Sequence, residues 1–411
     1  MSPDLLKKYS EVIVKSALDI YEGQCLLIIA GVLNHDFAVM VADTAYENGA
    51  KYVDVWFSSD KIKKSRIARN KKESFLEFIP NYSVTRSNEL LANDWAFLKI
   101  DNVDEIDVMK GIDTHKMEII TKNEQKAYMR QAQAITSFHM QWSIAAPPGV
   151  NWAKRVTGID DENKAKEKLS ENLIKILRLD AHDPVKEWKE HAEQLNIRAI
   201  KLASMNLDKL VFSADGTNLE IGLNSGCIWK GGLVNALNGR TFIPNLPTEE
   251  VFTTPDFRRT NGRAKVTRPV KVLETQINGI WFEFKEGKLV DYGCDNNKEI
   301  LDTYFNIDEG ARYLGEVALV DSRSKIFESG LIFNSILYDE NAACHIALGR
   351  GFSACIENGN DLTSPEEMKK HGCNFSLVHT DFMIGTKDIN VAGYDKAGNK
   401  HRILEDGRFV I

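Results

Sequence analysis

The sequence predicts an α/β N-terminal domain with a mainly parallel sheet over residues 1–183, followed by a β-rich α+β catalytic domain over 184–411. Three observations carry this. In the first half, short apolar runs at 25–30, 51–57, 95–100 and 134–140, bounded by Gly, Asn or Asp, alternate with helix-periodic stretches. Strands alternating with helices of about 10–15 residues need right-handed crossovers, and so a parallel sheet. After Lys209 the pattern becomes strand-rich, with no repeat of about 20–50 residues and no low-complexity tract.

Taken in order, the opening 23 residues look like an amphipathic helix and contain no basic-then-apolar leader. The stretch 35–47 repeats its apolar residues every four positions, at Phe37, Val41 and Ala45, which makes it a helix. Residues 160–168 mix both signs of charge densely, and Leu169, Leu173, Ile176 and Leu177 then continue a helical stripe. Pro184, lacking a backbone donor, supplies a breaker and the domain boundary. Downstream, 210–214, 219–223, 251–254 and 264–272 read as strands, and 279–291 as a hairpin turning at 285–288.

With 43% apolar and 27% charged residues over 411 positions, the chain can bury a sizeable core. Only 27 Gly and 10 Pro exclude collagen-like or linker-like material. Lys plus Arg (52) against Asp plus Glu (59) leaves −7, a poor balance for binding nucleic acid through its phosphates. The local cluster Arg258, Arg259 and Arg263 reads as a solvated turn. The six cysteines include no CxxC unit and are too sparse for a disulfide framework, so reduced thiols and a cytoplasmic location are expected. The longest apolar stretch, 25–33, is about half a membrane span, so no membrane partner is expected.

Several catalytic signatures are missing. The sequence has no GxxxxGK[ST], no GxGxxG after the first strand, no GxSxG and no HExxH. What remains is a set of metal-capable side chains in the last 165 residues. His379 and Asp381 lie two apart in a strand-like run, hence on one face, ~7 Å apart along the chain. Taken alone, a histidine hydrogen-bonded to a neighbouring carboxylate is the plainer account of this pair. His345, among Ala, Cys, Ile and Leu, reads as buried, which is also what a satisfied core histidine looks like. Glu316 sits inside the apolar strand 314–320, where a bare carboxylate costs several kcal/mol, so it needs an arginine or a metal. Glu249 and Glu250 enter the strand 251–254, where a solvated strand entry is the plainer account. Jointly, three carboxylates and two imidazoles suit a pair of divalent ions ~3.5–4 Å apart.

At these residues the chain resembles the aminopeptidase T / aminopeptidase S family of metallo-aminopeptidases. The resemblance rests on Asn245-Leu-Pro-Thr-Glu-Glu-Val-Phe-Thr-Thr-Pro-Asp256, Leu314-Gly-Glu-Val-Ala-Leu-Val320, Asp339-Glu-Asn-Ala-Ala-Cys-His-Ile-Ala347 and His379-Thr-Asp-Phe-Met-Ile-Gly385. It continues through Gly23-Gln-Cys-Leu-Leu-Ile-Ile29, Gly49-Ala-Lys-Tyr-Val-Asp-Val-Trp56, Asn151-Trp-Ala-Lys-Arg155 and Asp215-Gly-Thr-Asn-Leu-Glu220, and so spans the chain. The resemblance implies a cytoplasmic homodimer that removes N-terminal residues from peptides with a free N-terminus. It implies two divalent ions per chain (zinc, cobalt, manganese or magnesium) on Glu250, Glu316, His345, His379 and Asp381, with Glu316 bridging. A carboxylate beside the ligands, Glu340 or Glu249, would carry the proton to the leaving amine.

One position departs from the family pattern. Seven residues after the first ligand histidine the family has a tyrosine, and here stands Phe352, which can neither donate to an oxyanion nor touch a metal through oxygen. Tyr338 or Arg350 would have to compensate. Two alternatives follow from the same residues: a mononuclear iron ring-opening dioxygenase on His345, His379 and Asp381, and a metal-bound dimer impaired in catalysis.

Overall fold

The computed structural model describes all of residues 1–411 except 274, 360, 361 and 363. The first helix, Pro3–Val12, starts where Ser2 caps the Leu5 amide and Pro3 takes the first turn. It leads to β1 (Cys25–Gly31), the helix His35–Glu47, β2 (Tyr52–Ser58), β3 (Ala96–Ile100) and β4 (Trp142–Ala145). These strands form one parallel sheet in the order β2-β1-β3-β4. The expected α/β half is present, with helices between its strands.

The fourth strand is not where the sequence put it. Residues 134–140 include the end of the helix Met129–Thr136 and a turn at Phe138 (φ +53°), and the strand starts at Trp142. The two hydroxyls in this run bond back to the preceding helical turn. Thr136 donates to the Ala132 carbonyl at 3.1 Å and Ser137 to that of Gln133 at 2.8 Å.

Pro184 does not simply interrupt the chain; it occupies the first turn of the helix Pro184–Ser204, capped by Asp183 on the Lys186 amide. This helix serves two cores. Trp188 and Ala192 pack among the N-terminal residues, whereas Leu195, Ala199 and Leu202 pack among the C-terminal ones.

The C-terminal half is antiparallel. Its strands begin with β5 (Leu207–Ala214), β6 (Thr217–Leu223), β7 (Lys230–Gly231) and the small hairpin β8 (Val234–Asn235) and β9 (Thr241–Phe242). Next come β10 (Glu250–Thr253), β11 (Pro255–Lys265) and a second small hairpin, β12 (Val270–Val272) and β13 (Thr275–Ile277). The chain then forms β14 (Trp281–Lys285), β15 (Lys288–Gly293), β16 (Leu314–Val320), β17 (His345–Gly349) and β18 (His379–Met383). It finishes with β19 (Asn390–Asp395), β20 (Lys400–Glu405) and β21 (Arg408–Phe409). The expected single strand 264–272 is interrupted before Pro269, where the Val266 and Thr267 amides turn away to Ile280 and Met383. The expected hairpin is β14–β15.

Two sheets result, ordered β15-β14-β11-β6-β5-β19-β20-β21 and β18-β17-β16-β10-β7. Val251, Val317, Leu319, Ile346, Leu348 and Phe382 of the smaller sheet join Leu210, Phe212, Ile221 and Phe282 of the larger one in a single core. That core takes one face of the smaller sheet, so polar residues alternating with it must lie on the other. All six cysteines are free. Among the described residues no helix is long and apolar enough to cross a membrane.

Candidate metal centre

Strand pairing brings four segments together on that second face. Ala347 of β17 pairs with Glu316 of β16 on one side and with Asp381 of β18 on the other. His345 pairs with Ala318, two residues from Glu316. Since side chains alternate, Glu316, His345, Asp381 and His379 share the face, and Glu250 joins them from the first position of β10, opposite Val320. A bulge in β16 between Leu314 and Glu316 adjusts the aim of the glutamate. Gly315 is required there, because a Cβ would collide with the Arg350 carbonyl.

The distances are short. His345 Nε2 lies 3.0 Å from Glu250 Oε2 and 3.7 Å from Glu316 Oε1. His379 Nε2 lies 3.5 Å from Glu316 Oε2 and 3.3 Å from Asp381 Oδ1. Potential ligand atoms of Glu250, Glu316 and His345 form one group within 4.8 Å of one another, and those of Glu316, His379 and Asp381 form a second. All are buried except His379, which is partly exposed.

The other ring nitrogens fix the tautomers. His345 Nδ1 lies 3.0 Å from the Glu340 carbonyl and 3.2 Å from that of Ala343, and His379 Nδ1 lies 2.7 Å from that of Arg350. Carbonyl oxygens only accept, so each Nδ1 carries the hydrogen, and in a neutral ring Nε2 presents a lone pair to the carboxylates. Glu250 Oε2 is accordingly buried without a hydrogen-bond donor. Lone pairs facing lone pairs need a cation between them. Among the described residues no arginine or lysine ion pair reaches Glu316, so the arginine explanation for it falls away.

Without metal, protons take the cation's place. Burial, then the Glu250 and Asp381 carboxylates, raise Glu316 from 4.5 to about 7. Burial opposes charge on His379, but Asp381 and Glu316 outweigh it and raise the ring to about 9. His345 is likewise raised against its burial by Glu250 and Glu316. Asp381 is held low despite burial, by His379 and His345 and by a hydrogen bond from Glu340.

The ligand face borders a small cavity of about 50 Å³, roughly four water-sized occupants, whose remaining lining includes the apolar Phe138, Trp142, Val234, Phe252 and Phe352. Phe352 stands edge-on to His379, with ring centroids 5.3 Å apart, and stacks on Phe138. Neither residue suggested as a substitute for the family tyrosine lines this cavity. The Tyr338 hydroxyl donates to the Ala146 carbonyl, and Arg350 donates to the Ser376 carbonyl. Phe352, His379, Asp381 and Glu340 also border a larger cleft of about 670 Å³, with Lys99, Asp101 and Lys271 further along its walls.

The two candidate proton carriers separate. Glu340 lines the cavity, and its Oε1 accepts from Asn245 Nδ2 at 2.9 Å and Asn341 Nδ2 at 3.2 Å. Burial, reinforced by Asp381 and Glu250, raises its carboxyl well above the usual range. Glu249 is a correction. It is buried rather than solvated, and it lines neither the cavity nor the cleft. Just before β10 begins, it turns away from the ligands and binds Arg178 at 2.8 Å. Asn245 and Asn341 went without a role at the sequence level, although both lie in the motifs singled out there. Phe138 and Trp142 gave no local signal, since only tertiary packing brings them to the cavity.

A buried array of carboxylates and imidazoles with converging lone pairs, set against an apolar wall and opening to a cleft, defines a metal-dependent enzyme. The comparisons make this particular. The family described as thermophilic metalloprotease (M29) matches residues 3–409. Aminopeptidase 2 of Geobacillus stearothermophilus is 36% identical over 405 residues, covering 98% of this chain and 97% of its own. Aminopeptidase T of Thermus aquaticus is 33% identical over 406 residues, covering 99% and 98%. The solved structure of wild-type AmpT from Thermus thermophilus superposes with a TM-score of 0.89 at 31% identity, covering 99% of both chains. The chain belongs to the M29 metalloprotease family. It is a metallo-aminopeptidase, a hydrolase acting on peptides, and nothing in these likenesses points to the iron oxygenase.

Proposed function

We propose that Glu250, Glu316 and His345 hold one divalent ion and Glu316, His379 and Asp381 a second, and that Glu340 carries the proton during release of the N-terminal residue. The observation that carries this is the split of Glu316, whose Oε1 faces His345 and whose Oε2 faces His379. When bound, such ions polarise the scissile carbonyl and acidify a coordinated water.

The remaining steps belong to the chain. The backbone carbonyls of Glu340, Ala343 and Arg350 hold both imidazoles with Nε2 directed at the carboxylates. Asn245 and Asn341 hold the Glu340 carboxyl, and its hydrogen bond to Asp381 gives the proton a fixed place from which to reach the leaving amine. The wall of Phe138, Trp142, Phe252 and Phe352 keeps bulk water from the reacting bond and receives apolar parts of the peptide.

Zinc, cobalt and manganese suit this mixed oxygen and nitrogen set, whereas magnesium, which favours all-oxygen ligands, suits it less. A cytoplasmic homodimer remains our reading from the resemblance, and division into 1–183 and 184–411 our reading from the Pro184 breaker, supported by the change from parallel to antiparallel sheet across it. The test is metal content per chain with a panel of aminoacyl anilides. Two ions and release of unblocked residues are expected. One ion per chain contradicts the two-ion assignment, and Glu316→Gln with full metal and activity contradicts the bridge.

A further inference from the structure

Glu249 has no place in the cavity, yet it is among the most elaborately held residues near it. Arg178 Nη2 donates to Glu249 Oε1 at 2.8 Å, with both side chains nearly inaccessible. The same guanidinium lies 3.0 Å from His191 Nδ1, while His191 Nε2 lies 2.9 Å from the Thr248 carbonyl. These partners fix the imidazole: Nε2–H donates to Thr248, and bare Nδ1 accepts from Arg178. Arg178 also packs on Trp188, its Cζ 4.6 Å from the ring centroid. From the other side, the Glu249 amide donates to Asn341 Oδ1 at 2.7 Å, and Asn341 Nδ2 reaches Glu340.

The two residues before Glu250 are therefore fastened at three points: the Thr248 carbonyl, the Glu249 amide and the Glu249 carboxylate. Each fastener comes from a segment distant in sequence. Glu250 opens its strand, so on its N-terminal side no further β10 residue restrains it. Among the described residues His379 touches none of these four, and Asp381 meets the network only through Glu340, which Asn341 also holds; Arg178, His191 and Glu249 have no such link.

We infer that Arg178, His191, Glu249 and Asn341 are positioning residues that set Glu250, and that the Arg178–Glu249 pair, with no link to Asp381, governs metal affinity at the Glu250 end of the centre. This rests on the two-ion reading given above. Partners that orient ligands from outside typically change metal affinity by about 10–100-fold when removed.

Arg178→Met combined with Glu249→Leu tests it, because removing both charges leaves neither buried and unpaired. Zinc alone is titrated calorimetrically into metal-free protein, alongside bound zinc per chain and the thermal midpoint. The wild-type chain should bind two zinc ions. The double variant should keep one step unchanged and weaken the other about 10–100-fold, and Arg178→Lys, which retains the charge, should recover most of that loss. Should the double variant not fold, Glu249→Gln, which keeps the side chain's shape, must show the same one-sided loss. Two unchanged steps with a lowered thermal midpoint would mean a merely structural pair and overturn the inference. Equal weakening of both steps would overturn it as well. A wild-type chain with a single zinc ion would remove the two-ion reading and this inference with it.

Discussion

Glu249 and Glu250 are neighbours in the chain and face opposite ways: the first is bound to Arg178 at 2.8 Å, the second lies 3.0 Å from His345 Nε2. One peptide bond thus separates a salt-bridged carboxylate from one whose Oε2 has no hydrogen-bond donor. Identical side chains meet different fates because the first, just outside β10, meets Arg178 and the second, its opening residue, meets the ligand face.

Glu340 and Glu316 should fail differently. Glu340→Gln keeps hydrogen-bonding capacity beside Asn245 but removes the transferable proton, so turnover should fall by about 10²–10⁴ with metal content intact. Glu316→Gln should lose metal and turnover together. Metal analysis beside kcat distinguishes them, and Glu340→Gln turning over at the wild-type rate would remove it from the reaction.

Phe352 gives the second prediction. Its ring stands edge-on to His379 and lines the cavity, so Phe352→Tyr adds a hydroxyl at that wall. A single oxyanion donor is commonly worth about 10²–10³ in rate. The variant should raise kcat by at least about tenfold, with a smaller change in KM. An unchanged kcat would show that this chain's chemistry does without that hydroxyl.

The metal-free protein should lose stability as pH rises. Glu316 (about 7), His379 (about 9) and His345 all hold their protons more tightly when folded than their ordinary values imply. Their contribution is complete below the unfolded values, near 4.5 for Glu316 and 6.5 for the histidines, and is lost as pH climbs through the folded ones. Asp381, held low, acts in the opposite sense but only at acid pH. The thermal midpoint in chelator should therefore fall between about pH 5 and pH 9, while saturating metal should flatten the curve by replacing those protons. A midpoint in chelator that rises across this range would contradict the geometry of the cluster.

Gly315→Ala should be costly although the added group is one methyl. The new Cβ meets the Arg350 carbonyl, which cannot move without disturbing the His379 Nδ1 bond to that same oxygen. A loss of about 1–3 kcal/mol in denaturant unfolding, with weakened metal binding, is expected. Wild-type values for both would show that the bulge tolerates the methyl group.

Much of the centre was legible because charged groups inside apolar strands are conspicuous and few chemistries make them tolerable. Glu316 and His345 announced themselves in this way, and the period-two spacing of His379 and Asp381 placed them on one face. Glu249 and Glu250 read alike in the sequence, as two acids entering one strand, and only their tertiary partners separate them. Arg178 was not legible, since its contact with Glu249 spans 71 residues and local sequence does not encode it. The fourth strand lies further on than the sequence suggests because a short apolar run such as 134–140 suits a buried strand and a helix end equally, and here it closes the helix Met129–Thr136.

The helix Pro184–Ser204 carries one more consequence. It starts at the very boundary where a protein engineer would cut, and its first turns belong to one core while its last belong to the other. A fragment from residue 184 onward would keep all five ligand residues yet leave Arg178 behind, and with it the counter-charge of Glu249. It would also strip the cover from Trp188. Such a piece would be a poor module for grafting onto another scaffold: the part that reads as self-sufficient borrows its foundation from the part discarded.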